Sequence, residues 1–478
     1  MDVPAQVDLC FTPAVRLAEL VRERELSPVE VVEAFLERIE ALNPVLNLFC
    51  FVYPDEAVEA ARRAEQVVVD GGRLGPLHGI PYALKDFTPT KGRTTTLGSH
   101  AFENWVPEED PPVVERLRAA GGILIGKTTT PEFAYSGFTY SPRWGVSRNP
   151  WDPTRTPGGS SGGSAGAVAA GMVPLAEGSD AGGSIRIPAS CCGIFGLKPS
   201  LGRVPMHITP NDFEQLFHMG PLSRGVDDGA LMLDVMQGPD DRDPLSLSPL
   251  LDMEKLAHVD ASGLRLGLSM DLGYCAVHPE VAANTALAAS VFEELGATVE
   301  PVELGWTRAV HDSWVACWKV IFAAAYGDLL EEFGDRMDPE VIDLIESGRR
   351  MSAVDVKRIE HERSRQWEGL RAVLERCDAL LCPTLAVPVP AAEASESSFG
   401  SETADGKYVA LDLTCPFNLV GQCPAASVPS GVDSAGLPTG LQIVGRRYDD
   451  VTVLALAAEF ERAAPWSHRR PPLLAAAS

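Results

Sequence analysis

Between residues 155 and 199 the chain carries two glycine clusters that present serine hydroxyls, GGSSGGS at 158–164 and GGS at 182–184. Glycine at this density costs backbone entropy on folding, so it marks backbone that turns tightly or must approach something closely. A flexible linker is the simplest source of Gly/Ser runs. Here, however, residues 165–174 read as an apolar helix and 185–195 are again apolar, whereas a linker stays polar throughout. A phosphate-cradling loop needs G-x-x-x-x-G-K-[ST], and no lysine follows either cluster at that position. Gly159-Ser160-Ser161-Gly162-Gly163 does fit the G-x-S-x-G elbow of α/β-hydrolases, with Ser161 as the nucleophile. That elbow needs a buried strand just before it, but the preceding WDPTRTP is polar and holds two prolines, so the match is accidental. What remains is a pair of tight loops offering hydroxyls and unobstructed backbone amides to a bound group.

Other chemistries find little support. The nine histidines show no H-x-x-x-H or His/Cys spacing that would hold a metal, and no cofactor is expected. The ten cysteines are scattered, include the adjacent pair Cys191-Cys192 and contain no C-x-x-C, which fits reduced thiols in a cytoplasmic protein. A formal charge of −26 argues against a nucleic-acid partner, which would want a basic face. The first residues, MDVPAQVDLCFTPA, lack the basic and apolar regions of a signal peptide, and no apolar run is long enough to span a membrane.

The elements that must position these loops alternate between helix and apolar strand, the pattern of an α/β fold. Ser27-Pro28-Val29-Glu30 is a capping box with proline in the first helical turn, opening a helix whose apolar face is Val31, Phe35, Ile39 and Leu42 and which Asn43-Pro44 should stop. A helix over 54–68 completes an N-terminal helical layer, residues 1–70. LHGIPYALKD at 77–86 predicts a buried strand ending in a charged turn; Lys85, taken alone, reads as a solvated strand-end lysine. A short helix at 113–120 and a strand at 122–127 follow. Residues 202–205 and 220–224 (GPLSR) read as loops. Further strands are predicted at 264–269, 298–302, 378–384 and 440–445, with helices at 226–237, 279–295 and 450–462. Residues 308–376 are strongly helical. There Trp314, Trp318, Phe322 and Tyr326 recur every fourth position as one aromatic stripe, which packs on the core or walls an apolar groove. Residues 388–405, rich in Ala, Ser, Glu and Pro, predict a mobile surface loop. No repeat or composition break divides the chain, so one domain of 478 residues is expected.

The motifs PGGSSGGSAGAVAAG (157–171), GSDAGGSIRIPA (178–189) and GLKPS (196–200) resemble the amidase signature family. The resemblance extends through LGPLHGIPYALKD (74–86), PEFAYSG (131–137), CPFNLVGQCPAASVP (415–429) and GLPTGLQIVG (436–445), nearly the whole chain. It implies a large mixed, twisted β-sheet covered by helices on both faces, with a catalytic core over 74–200 and a substrate-side helical insertion over 308–376. It also implies a Ser-Ser-Lys triad: Ser184 as nucleophile, Ser160 as a bridging serine on a cis peptide, and Lys85 as base. Backbone amides of Ala181, Gly182, Gly183 and Ser184 would form the oxyanion hole. Departures are small: Ser179 and Ala181 stand where threonine is common, and Glu177 precedes the loop. The chemistry is coherent, because a serine hydroxyl becomes nucleophilic when a base takes its proton, and a lysine is a base only where burial keeps it neutral. Asp180 and Arg186 read as loop-holding residues.

The function that follows is hydrolysis of amide C–N bonds in a small-molecule substrate; carbamates and esters share the tetrahedral chemistry. Phe133, Tyr135, Trp314 and Trp318 are candidate pocket residues, with 308–350 and 388–410 flanking the mouth. The alternative is the glutamine-hydrolysing component of a tRNA-dependent amidotransferase. The enzyme is expected as a monomer or homodimer, without membrane partners.

Overall fold

The computed structural model describes residues 8–472. Eleven strands form one sheet: β1 (Phe49–Val52), β2 (Pro81–Lys85), β3 (Ile123–Thr128), β4 (Leu175–Asp180), β5 (Phe195–Lys198), β6 (His218–Ser223), β7 (Arg265–Leu268), β8 (Thr298–Pro301), β9 (Ala379–Pro383), β10 (Ala425–Val432) and β11 (Pro438–Gly445). Their spatial order is β1-β3-β2-β4-β6-β5-β10-β11-β9-β7-β8. The pairs β3–β2, β2–β4, β9–β7 and β7–β8 are parallel. From β4 across to β9, and between β1 and β3, pairing is antiparallel. The sheet is therefore mixed, as expected. Every residue of β2, β4, β5, β6, β9 and β11 is buried. A sheet with one wet face would alternate buried and exposed positions, so both faces are covered.

The covering helices are α1 (Ala14–Arg22), α2 (Pro28–Leu46), α3 (Pro54–Val69), α4 (Pro112–Ala119), α5 (Gly162–Ala169), α6 (Arg186–Cys192), α7 (Val226–Met236), α8 (Pro279–Glu294), α9 (Ala309–Tyr326), α10 (Pro339–Arg349), α11 (Ala353–Leu374) and α12 (Asp450–Ala463). The capping box at the head of α2 is formed: the Ser27 hydroxyl accepts from the Val29 amide, and Glu30 accepts from the Ser27 amide at 2.9 Å. The helix does not stop at Asn43. It runs through Pro44 to Leu46, because a proline so near the end removes only one intrahelical bond. Asn43 then closes the exit, its Oδ1 accepting from the amides of Leu48 and Phe49 at 2.8 Å.

One further reading needs correction. GPLS at 220–223 is not a loop but the end of β6, in the middle of the sheet, with Pro221 opposite Glu177. Local turn chemistry predicts the opposite; pairing on both edges and burial of all six residues outweigh the one ladder bond that a proline lacks. β1 gave no local signal, being four residues laid antiparallel along the edge of β3.

Around the sheet one apolar cluster joins the N-terminal helices to the strands, and a second, aromatic cluster lies beneath α9 to α11, with Trp306, Trp318, Phe322 and Phe417 inside it. Among the described residues no helix is long and apolar enough to cross a membrane.

Candidate active site

The last residue of β2 is Lys85, and it is fully buried rather than solvated. Its Nζ donates to Ser160 Oγ at 2.6 Å and to Ser179 Oγ at 3.0 Å, over the ring of Phe87. Burial depresses its pKa to about 7, against the opposing pull of the Glu177 and Asp180 carboxyls. Two other lysines are equally buried. Lys127 Nζ lies 3.3 Å from Asp86 and donates to the Thr88 carbonyl and the Thr95 hydroxyl. Lys198 donates to the carbonyls of Pro199, Gly421 and Cys423. Among the described lysines only Lys85 reaches a serine of the glycine clusters.

The first cluster enters α5 through a cis peptide between Gly159 and Ser160. Ser161, the residue in the elbow-like position, donates its hydroxyl to the Ser179 carbonyl and is fully buried. Its backbone amide donates to the Ser184 carbonyl at 3.1 Å, which lays the two clusters side by side. Ser184 itself is half-buried on a cavity wall, and its hydroxyl makes no hydrogen bond among the described residues.

The second cluster is the loop between β4 and α6, and Asp180 holds its shape. One carboxylate oxygen accepts from the Gly183 amide at 2.8 Å, the other from the Ile185 amide at 3.2 Å. Both accept from Arg186, whose guanidinium also donates to the Thr414 carbonyl, Gln442 and Asn418. Burial alone would raise the Asp180 pKa; the charge and hydrogen bonds of Arg186 overcome it and hold the carboxyl well below the usual range. This ion pair has no exposed surface, so removing one partner strands a buried charge. Asp180→Asn is expected to lower stability by about 3–5 kcal/mol, read as a displaced urea midpoint; an unmoved midpoint would show that Arg186 is satisfied without it.

The glycines of this loop answer to close neighbours. A Cβ on Gly182 would run into the Trp314 indole, and one on Gly183, at φ +124°, into the Thr414 side chain. Trp314 Nε1 donates to the Ala181 carbonyl and Thr414 Oγ1 to the Gly182 carbonyl. Of the four amides expected to face an oxyanion, that of Gly183 is engaged by Asp180.

Ser184 opens onto a cavity of about 440 Å³. Trp314 and Trp318, stacked with ring centroids 5.5 Å apart, form one wall, and Tyr135, Phe399 and Tyr408 contribute others. Phe133 does not reach it. Its backbone turns to φ +52°, its ring stacks on Tyr326 with centroids 4.0 Å apart, and it lines a neighbouring cavity with Phe322 and Phe87. The α9 stripe therefore has both roles: Trp318 and Phe322 are core, Trp314 and Trp318 face Ser184, and Phe322 and Tyr326 face the second cavity. The 388–405 segment borders the cavity through Glu396, whose carboxylate accepts from the Gly137 amide at 2.7 Å and the Ser136 hydroxyl at 3.0 Å. Four carboxylates, Glu340, Asp343, Glu396 and Asp412, line the cavity against a single lysine, Lys319. None of Thr414, Glu396 or Asp412 carried a local signal, since each reaches the site from over a hundred positions away. Ser179 was detectable as a hydroxyl inside the second motif.

The sequence model of the family described as Amidase matches residues 30–454. An acylamidase of Rhodococcus erythropolis is 37% identical over 472 residues, covering 97% of this chain and 98% of that protein. A subunit of the glutamyl-tRNA(Gln) amidotransferase of Chloroflexus aurantiacus is 36% identical over 480 residues, covering 94% of this chain and 96% of that protein. Among solved structures, a bacterial aryl acylamidase of the amidase signature family superposes with a TM-score of 0.90 at 34% identity, over 96% of this chain and 97% of that one. The chain belongs to the amidase family. It is an enzyme that hydrolyses amide C–N bonds.

Proposed function

We propose that the chain is a free-standing amidase that opens small amides through an acyl-enzyme on Ser184, with Ser160 as proton relay and Lys85 as base. The observation that carries this reading is the 2.6 Å contact between the buried Lys85 Nζ and Ser160 Oγ, in a cluster whose next residue, Ser161, donates its amide to the Ser184 carbonyl at 3.1 Å. Neutral Lys85 takes the Ser160 proton while Ser160 takes that of Ser184, since a hydroxyl donates and accepts at once. Ser184 attacks the carbonyl carbon, and the oxygen that becomes negative is met by the amides of Ala181, Gly182 and Ser184, each worth roughly 10²–10³ in rate. The proton returns along the same path to the departing nitrogen. Water then attacks the acyl-enzyme, restoring Ser184 and releasing the acid. The open Ser184 hydroxyl is compatible with this path, because catalytic hydrogen bonds left open in a free site tighten in the substrate complex. Carbamates and esters present the same carbonyl and fall within the same chemistry. Ten free cysteines, eight of them buried, support a reducing cytoplasm as the working compartment.

The second reading, glutamine hydrolysis for a tRNA-dependent amidotransferase, is favoured by the similarity to the Chloroflexus protein. The cavity lining opposes it. Among the described residues that line it there is no arginine to clamp a substrate α-carboxylate, and the carboxyls of Glu340 and Asp343 would repel one. The aromatic wall suits an apolar or aryl group instead. Purified chain alone is expected to cleave an aryl anilide with kcat/KM at least about 10²-fold above that for glutamine. A preference for glutamine would reverse the assignment.

A further inference from the structure

Glu177 is a fully buried carboxyl that the steps above do not use. It sits in β4, alongside the strand that ends in Lys85. One oxygen, Oε2, accepts from the backbone amide of Lys85 at 3.1 Å and from Thr88 Oγ1 at 3.0 Å. The other, Oε1, is buried with no hydrogen-bond partner among the described residues. An ionised carboxylate with one bare oxygen in an apolar interior is costly, and a proton on that oxygen removes the charge. Lys85 has the complementary problem. Its Nζ touches only the hydroxyls of Ser160 and Ser179, and no carboxylate lies within ion-pair distance among the described residues.

The charged groups around the pair are otherwise spoken for. Lys127, from β3, is beside Asp86; Asp180, three residues along β4, is paired with Arg186. Burial raises the Glu177 carboxyl and lowers the Lys85 amine, so both are pushed toward their neutral forms.

We propose that Glu177 is a positioning residue whose own protonation sets that of Lys85: ionised, its carboxylate favours the Lys85 ammonium across the short gap between them, and with a proton on the bare Oε1 it leaves Lys85 free as the neutral base. This rests on the reading of Lys85 as the base. Oε2 keeps its two donors in either state, which holds the end of β2 in place whether or not Oε1 carries a proton.

The pH profile of kcat/KM on an aryl anilide tests it, with wild type, Glu177→Gln and Thr88→Val side by side. Glutamine keeps an acceptor for the Lys85 amide and the Thr88 hydroxyl but removes the charge that favours the Lys85 ammonium. The Lys85 pKa then falls, and the acid limb moves to lower pH by about one unit or more. Thr88→Val removes one donor to the carboxylate, disfavours its ionised form and moves the limb in the same direction by less, so the test survives if Glu177→Gln fails to fold. Glu177→Asp restores the charge and returns the limb toward wild type. An acid limb that stays in place or moves up, in variants that are merely slower, overturns the proposal and leaves Glu177 a structural residue. Failure of the underlying reading looks different: Lys85→Ala would then retain activity, whatever the position of the limb.

Discussion

Ser184→Ala is expected to fold as the wild type does and to lose activity on aryl amides by about 10⁴-fold or more, as removal of the covalent nucleophile does in serine hydrolases. The fold should be indifferent to the change. Ser184 is half-buried on a cavity wall and its hydroxyl supports no other described residue, whereas the shape of its loop is held by Asp180 and Arg186. Two measurements make the test specific. The wild-type chain should be labelled one-to-one by a fluorophosphonate and the variant not at all, and the labelled residue should be Ser184 by peptide mapping. Labelling at Ser161 would restore the elbow reading, although its hydroxyl faces the Ser179 carbonyl. Stoichiometric labelling of the alanine variant would remove Ser184 from the chemistry.

Lys85→Ala carries the second large effect, a loss of about 10³-fold or more in kcat with the fold preserved. The wild-type pH dependence gives the sign. Burial holds the Lys85 pKa near 7, below the ordinary 10.5 of a lysine, so the amine is neutral above that point and protonated below it. Only the neutral amine accepts a proton, so kcat/KM should rise with pH and level off once Lys85 has lost its proton. At high ionic strength the limb should hardly move, because screening reaches exposed charges far more than buried ones. The same variant separates the three buried lysines. Lys127 and Lys198 contact a carboxylate, a hydroxyl or carbonyls rather than a serine of the clusters. Lys127→Met and Lys198→Met are therefore expected to lower stability before they alter the pH profile. A near-normal rate in Lys85→Ala, with the loss appearing in either of the others, would move the base elsewhere.

The chain shows clearly which of its features are local. Capping at Ser27, the apolar face of α2, the strand ending at Lys85 and the small-residue helix after the first cluster are set by neighbours a few positions apart, and each was legible. The glycine clusters were legible as backbone under steric constraint, and the family motifs added the fold. What local reading left open shares one cause. Pro221 looks like a turn residue, and it stands in mid-sheet because partners from β4 and β5 bury it. Phe133 lies two residues before Tyr135, yet a left-handed turn sends its ring to the neighbouring cavity. The alanine- and glutamate-rich segment after Pro388 was expected to flank the mouth of the site, but which of its residues would matter was not legible: it is Glu396 that anchors the Ser136–Gly137 backbone at the cavity wall.

Composition and local patterning determined by themselves an α/β chain with two hydroxyl-bearing loops and a lysine at a strand end, and the resemblance of its motifs to the amidase signature family supplied the enzyme class. Motifs of this kind are short-range: their glycines, caps and apolar runs act within a few residues, so their information survives in the linear order. Only the tertiary structure decided that Lys85 is buried against Ser160 and Ser179, that Asp180 engages the Gly183 amide, and that Glu177 accepts from the Lys85 amide with its other oxygen bare among the described residues. The physical reason is that pKa values and donor availability depend on the dielectric and partners around a group. In this chain those partners come from strands and helices up to more than two hundred positions apart.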